Sequence, residues 1–93
     1  MAEVSKHTPG PWAIEHKNPF ETFVRGAPNE EGSRYVVAIV HPGHDNATEA
    51  NARLIAAAPD LLDALKAVVA VADRKTDVFD QARAAIAKAE GRA

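Results

Sequence analysis

The first half of the chain alternates polar and apolar residues, whereas the second half repeats apolar residues at helical spacing. Residues 12–16 follow the two-residue period of a half-buried strand. A second strand is predicted over residues 20–26, where aromatic and β-branched side chains cluster, and a third over residues 34–41. The polar segment 27–33 predicts a hairpin loop between them. This half is therefore predicted to form a short antiparallel β-meander at residues 12–41.

The third predicted strand is apolar on both faces. The two sets are Tyr35, Val37 and Ile39 on one face and Val36, Ala38 and Val40 on the other. A strand with this pattern is usually buried on both sides. Because the helices that follow can cover only one face of a three-stranded sheet, we expect a second copy of the chain to cover part of the other. The pattern thus predicts a homo-oligomer.

The second half, residues 46–90, is rich in helix-forming residues. Residues 47–58 predict a first helix that ends at Pro59, where a second helix begins. Thr76 or Asp77 is predicted to cap a third helix. Together these helices form a C-terminal helical hairpin, and the predicted fold class is α+β.

The length of 93 residues predicts a single domain over residues 1–93, with a frayed terminus at residues 1–6. A formal charge of -2 makes nucleic acid an unlikely partner. The absence of cysteine excludes disulfides and thiol chemistry, and no apolar run is long enough for a membrane span. We therefore expect a cytoplasmic protein.

Two polar residues of the first predicted helix are candidates for ligand binding. Asn51 falls in the middle of the apolar stripe formed by Ala47, Leu54, Ile55 and Ala58, which predicts that it is buried. A buried amide either bonds to the backbone of the sheet or lines a pocket. Arg53 either pairs with Glu49 four residues earlier or binds an anion.

Four residues of the predicted sheet are further candidates. Arg25 and Arg34 flank the hairpin loop and either converge on an anionic ligand or remain solvated. Trp12 is either a core residue or a platform on which a base stacks, and Tyr35 is a second stacking candidate. The complete set of predicted ligand-binding residues is Trp12, Arg25, Arg34, Tyr35, Asn51 and Arg53.

No constellation of residues predicts catalysis. The segment 41–45 holds His41 and His44, but they lie in a Pro-Gly turn without a third ligand at characteristic spacing, so no metal is expected. Ser5 and Ser33 do not lie in nucleophile motifs, and the chain has no Gly-rich phosphate loop. We expect neither a cofactor nor an enzymatic activity.

Two segments, HTPGPW at residues 7–12 and NARLIAAAPDLLDAL at residues 51–65, carry a family resemblance. Together they resemble a family of small proteins encoded by tailed phages and prophages. The resemblance covers residues 7–70, and it supplies genomic context without catalytic residues. It implies a phage accessory protein, and phage proteins of this size commonly counteract host antiviral defence.

Proteins of similar outline act as oligomeric sponges that sequester immune signals. By this analogy we expect a non-catalytic protein that binds a small anionic nucleotide, either a cyclic nucleotide or an ADP-ribose derivative. The alternative is a protein-binding inhibitor or regulator of a host or phage enzyme. Nucleotide binding requires arginines and an aromatic residue that converge on a concave site, whereas protein binding leaves an exposed apolar patch.

Overall fold

The computed structural model describes residues 7–18, 21–42, 47–72 and 74–92. The elements along the chain are β1 (Ala13–Asn18), β2 (Glu21–Arg25), β3 (Val36–Val40), α1 (Thr48–Ala72) and α2 (Asp77–Ala89). The predicted α+β class, with a β-meander before two helices, is confirmed. The chain divides into two compact units, Met1–Pro59 and Asp60–Ala93.

The three strands form an antiparallel sheet in the order β1-β2-β3. β1 begins and ends later than the predicted strand, and β3 is shorter than its prediction. Phe20, the predicted first residue of the second strand, lies outside the described residues, as do residues 1–6. Asn29 organises the predicted hairpin loop, because its side-chain Oδ1 accepts hydrogen bonds from the backbone N–H groups of Glu31 and Ser33, both at 2.9 Å.

One face of the sheet carries the core of the first unit. Val24 is fully buried between its neighbours Ile14 and Ala38 on the two flanking strands. Val40 and Ala52 complete the buried cluster. Trp12, Ile14, Ala38, Ile55 and Ala56 pack against this cluster as half-buried side chains. We call this side of the sheet the inner face.

The predicted division of the third strand into two faces is correct except at Val36. Val36 was grouped with Ala38 and Val40, but it is exposed. The register between β2 and β3 shifts between Val24 and Arg25, so that Val24 pairs with Ala38 whereas Arg25 pairs with Val36. One extra residue in β3 at this bulge breaks the alternation that the sequence pattern assumed.

The predicted helix boundary at Pro59 is wrong, since α1 continues through this proline to Ala72. A proline inside a helix removes one hydrogen bond and crowds the preceding turn, which costs about 3 kcal/mol in an exposed helix. Here Pro59 is buried, and a Cβ placed on Gly10 would lie 3.6 Å from the Cβ of Pro59. Strong helix formers on both sides and burial against Gly10 offset the local penalty.

The predicted burial of Asn51 is also wrong, because Asn51 is exposed and its neighbour Ala52 is fully buried. The observed packed side of α1 in the first unit contains Ala52, Ile55, Ala56 and Pro59. It is rotated by about one residue, or 100°, from the predicted stripe. The phase was ambiguous because alanines surround the helix, and a small residue facing the sheet allows close approach. Asn46, which with Glu49 three residues later resembles a capping box in the sequence, lies outside the described residues.

The segment 8–12 is clasped to the end of β2. The Ala27 N–H donates to the Pro9 carbonyl at 3.0 Å, and the Trp12 Nε1–H donates to the Thr8 carbonyl at 2.9 Å. Gly26 is buried, and a Cβ at this position would collide with Cγ2 of Thr8. Glycine at position 26 therefore permits the close approach of the two segments.

The second unit contains the end of α1 and all of α2. Thr76 caps α2 as predicted, since its side-chain oxygen accepts a hydrogen bond from the Phe79 N–H at 3.4 Å. Ile86 is the buried residue of α2. At the end of α2, the Glu90 carboxylate accepts hydrogen bonds from Lys66 at 2.9 Å and from Arg92 at 2.8 Å.

Candidate binding surface

The second face of the sheet carries a row of paired residues that crosses all three strands and is apolar in β2 and β3. Phe23 of β2 is paired with Glu15 of β1 on one side and with Ile39 of β3 on the other. Phe23 is half-buried, and Ile39 is 48% exposed although it is one of the largest apolar residues of the sheet. We call this side, defined by Glu15, Phe23, Arg25 and Ile39, the outer face. An exposed apolar row of this kind is suited to contact with another apolar surface.

Arg25 closes one end of the outer face and is held by three neighbours. Its Nε lies 2.9 Å from a carboxylate oxygen of Glu15, and its guanidinium carbon lies 5.3 Å from the centre of the Phe23 ring. Its Nη1 donates to the Arg34 carbonyl at 3.1 Å. The buried Nε–H is not aimed at the carboxylate well enough to form a hydrogen bond, so the contact with Glu15 is an ion pair by proximity. Most of the charge of Arg25 is therefore already compensated.

Arg34 and Tyr35 lie beside Arg25, where the chain enters β3. Hydrogen bonds hold the backbone of both residues in place. The Arg34 carbonyl accepts a hydrogen bond from the Arg25 side chain, and the Tyr35 carbonyl accepts one from the Gly26 N–H at 3.0 Å. Both residues are exposed, Tyr35 by 63%. Within the described part of the chain, the Arg34 guanidinium forms no ion pair. Arg25, Arg34 and Tyr35 are thus the predicted ligand-binding residues that the fold brings together.

Trp12 lies on the opposite side of the sheet from Arg25. It is half-buried against the core, its Nε1–H is bonded to Thr8, and the His7 ring meets it edge-on with 5.9 Å between ring centres. Of the two alternatives for Trp12, a core residue or a platform for stacking, the observed packing is that of a core residue. The part of the indole that packs against the core is not accessible to a base.

Asn51 and Arg53 lie on α1, which packs on the inner face through Ala52. Both residues are exposed, and the Arg53 guanidinium lies 3.8 Å from Glu49, as the spacing of four residues predicted. Neither residue joins Arg25, Arg34 and Tyr35 on the outer side. The role of these residues in ligand binding remains a prediction, but the six residues do not surround one site.

A second polar cluster, which the sequence analysis missed, joins the sheet to α1. The hydroxyl of Thr22 lies 3.4 Å from His16 Nδ1, and His16 Nε2 lies 3.7 Å from a carboxylate oxygen of Glu49. This order of hydroxyl, imidazole and carboxylate is that of a nucleophile relay, which requires contacts of about 2.6–3.2 Å. Thr22 is also 9% exposed, which leaves little access for a substrate. Only the pairing of His16 with Thr22 across two strands could have indicated the cluster.

The described residues contain neither a metal-binding cluster nor a membrane-spanning helix. Residues 7–18, 21–42, 47–72 and 74–92 hold no group of three or more acidic, histidine or cysteine side chains arranged to bind an ion. His44 and Asp45, which formed part of the histidine segment considered in the sequence, lie outside these residues. The helices in the same ranges are too short or too polar to cross a bilayer.

Comparison with known proteins identifies a family for the chain. The family model described as Salmonella phage P22 protein Y8K6 matches residues 1–93, which is the whole chain. The chain belongs to this phage protein family. No curated protein and no solved structure matches it. The match to the P22 Y8K6 family extends past residue 70, where the resemblance based on two motifs ended.

In this member of the P22 Y8K6 family, the two segments that carried the resemblance are packed together. Gly10 of the first segment lies so close to Pro59 of the second that a Cβ on Gly10 would be 3.6 Å from the Cβ of Pro59, and Trp12 packs on the cluster that contains Ala52. The segments are thus parts of one structural feature, the attachment of α1 and the chain entry to the sheet. Within the first unit, residues 7–12 and residues 51–59 lie on the inner side of the sheet, away from the outer face.

Proposed function

We propose that this phage protein is a non-catalytic accessory factor that binds another protein through the outer face of its sheet, in the host cytoplasm. The observation that carries the proposal is the Phe23–Ile39 pair, which remains accessible on a sheet whose other face is packed. Each exposed apolar side chain that becomes buried in a complex contributes about 1.5–3 kcal/mol. The surface is apolar at its centre and charged at its border, where Glu15 and Arg25 lie, and this arrangement is typical of protein interfaces.

Three features favour a protein partner over a small nucleotide. The outer face is the surface of a pleated sheet, whereas small-molecule sites are concave and surround most of their ligand. Arg25 is already paired with Glu15, so binding a phosphate would require breaking that contact. Trp12, the strongest stacking candidate, belongs to the core on the other side.

Sequestration of a nucleotide signal is the second candidate function, and Arg34 and Tyr35 support it. An exposed guanidinium beside an exposed phenol can bind a phosphate by charge-assisted hydrogen bonds and stack on a base. Such a pair alone surrounds little of a ligand, so tight sequestration requires further residues, for example from a second copy. Counteraction of host defence is compatible with either candidate.

The absence of catalysis is part of the proposal. The cluster of Thr22, His16 and Glu49 has the residue types of a relay, but its hydroxyl is buried and its contacts are longer than proton transfer requires. The cluster is better suited to linking β1, β2 and α1.

Site-specific photocrosslinking tests the protein-binding proposal. A photoreactive residue in place of Ile39, produced during infection, should capture a defined protein, and the same residue in place of Leu54 should not. Leu54 is a matched control, because it is an exposed apolar residue on α1 in the same unit. The purified partner should then bind the unmodified chain and lose at least about tenfold in affinity with Ile39→Lys, whereas Leu54→Lys should leave the affinity unchanged.

A parallel calorimetric panel of cyclic dinucleotides, cyclic trinucleotides and ADP-ribose derivatives tests the second candidate. Tight binding that Arg34→Ala and Tyr35→Ala abolish, and that Ile39→Lys leaves intact, would replace protein binding by nucleotide sequestration. Recovery of a cleaved nucleotide would contradict the absence of catalysis.

A further inference from the structure

The second half of α1 carries apolar side chains over a wide arc of its surface. The half-buried part of this half in the second unit contains Leu62, Leu65, Lys66 and Val69. In the adjoining part of the arc, Leu61, Val68 and Val71 are 54%, 56% and 89% exposed, and the exposed Ala64 lies between them. We call Leu61, Ala64, Val68 and Val71 the α1 seam. A helix that is apolar nearly all round is normally buried against more than one neighbour.

The spacing of the α1 seam is that of a coiled-coil interface. Its members follow one another at intervals of three, four and three residues, which are the intervals between successive core positions of a heptad. The second unit spans fewer than 40 residues, and Ile86 is the one buried apolar side chain among its described residues. Units of this size usually need a metal, a disulfide or self-association for stability, and the chain has no cysteine.

We propose that two copies of the chain associate through the α1 seam in antiparallel orientation. The seam is symmetric about its centre, so reversing one copy places Leu61 opposite Val71 of the partner subunit and Ala64 opposite Val68 of the partner subunit. Each alanine then faces a larger side chain, and each layer is filled without a gap. The contact is isologous, since both copies use the same residues. This surface is distinct from the outer face of the sheet.

The charges at the ends of the α1 seam fit a second copy in this orientation. Asp60 precedes the seam and Arg74 follows it, and both side chains are exposed. Neither forms an ion pair within the described part of the chain. In the antiparallel register that aligns the four apolar layers, Asp60 lies opposite Ala72 of the partner subunit, the last residue of its α1. We expect the long side chain of Arg74 of the partner subunit, two residues further along, to reach Asp60, once at each end. In a parallel pair, Asp60 would instead lie beside Asp60 of the partner subunit, and Arg74 beside Arg74 of the partner subunit. Such like-charge contacts are unfavourable.

Light scattering after size exclusion, and sedimentation equilibrium, test the interface on the full chain at about 10–100 µM. The chain should have twice the 9.9 kDa mass of a single copy. Val68→Glu and Val71→Glu should each weaken association at least about a hundredfold, because they place a charge in an apolar interface. Ile39→Glu, on the outer face, should leave the dimer intact. Circular dichroism verifies folding, and because Val71 is 89% exposed we expect its replacement to change the stability of a folded monomer little.

Exchange of the end charges tests the orientation. Asp60→Lys and Arg74→Glu should each weaken self-association about three- to thirtyfold. An equimolar mixture of the two variants should associate about as tightly as the unmodified chain, because every end contact again joins opposite charges. A monomeric unmodified chain, a dimer that only Ile39→Glu disrupts, or a mixture no tighter than the single variants would each overturn the proposal.

Discussion

Replacement of Gly26 by alanine should selectively destabilise the first unit. The added Cβ would collide with Cγ2 of Thr8 and lie 3.3 Å from the Pro9 carbonyl oxygen. The Thr8 side chain is β-branched and has little freedom to rotate away, so the segment around Thr8 must move. That movement strains the hydrogen bond between the Ala27 N–H and the Pro9 carbonyl.

The expected loss in the free energy of unfolding is about 2 kcal/mol, within the ~1–3 kcal/mol that overpacking usually costs. This range already includes the partial loss of the hydrogen bond, which is worth ~0.5–1.5 kcal/mol. With a urea slope of ~1–1.5 kcal/mol/M for a small protein, the unfolding midpoint should fall by roughly 1.5 M. Trp12, the single tryptophan of the chain, packs beside the clasp and supplies the fluorescence signal for this unit.

Two further variants make this prediction specific. Gly10→Ala is the matched control, since its Cβ would make only ordinary contacts of 3.6 Å, and it should change the free energy of unfolding by less than ~1 kcal/mol. Thr8→Ala removes the colliding methyl group and should restore at least ~1 kcal/mol when combined with Gly26→Ala. An unchanged midpoint for Gly26→Ala, or equal losses with and without the Thr8 methyl, would refute the steric reasoning.

Three other predictions concern the helices. Thr76→Ala should cost ~0.5–2 kcal/mol, because the Phe79 N–H loses its cap, and an unchanged thermal midpoint by circular dichroism would contradict this. The hydrogen bond from Lys66 holds the pKa of Glu90 below its usual value of 4.5, so its contribution to stability is complete above that pH and is lost as the pH falls through the lower folded-state pKa. Urea unfolding between about pH 7 and pH 3 should therefore show a steeper loss for the unmodified chain than for Lys66→Met, and parallel curves would argue against the linkage. Asn51→Leu should change stability by less than ~0.5 kcal/mol because Asn51 is exposed, and a larger loss would mean that its amide has a structural partner.

The sequence predicts the order of the elements because their local signals agree. The five apolar residues of β3 and the cap at Thr76 are strong signals within a few residues, and both are confirmed. Pro59 is the contrasting case, since the local rule for proline predicts a helix end. Burial against Gly10, far away in sequence, outweighs that rule.

The arrangement of side chains was less predictable than the elements. The phase of α1 depends on which of several alanines faces the sheet, and hydrophobicity alone does not distinguish them. The compensation of Arg25 by Glu15 requires the register between β1 and β2, and the cluster of Thr22, His16 and Glu49 requires the placement of α1 as well. Such contacts between elements decide which predicted binding residues meet.

The proximity of Gly10 and Pro59 links two positions that should covary across the family. There is room at position 10 for a Cβ, at ordinary contact distance from the proline ring, but a longer side chain would have to occupy the volume of that ring. Family members with a residue larger than alanine at position 10 should therefore carry a residue smaller than proline at position 59. Exchange of segment 7–12 between divergent members should be tolerated only when the matching part of α1 is exchanged with it.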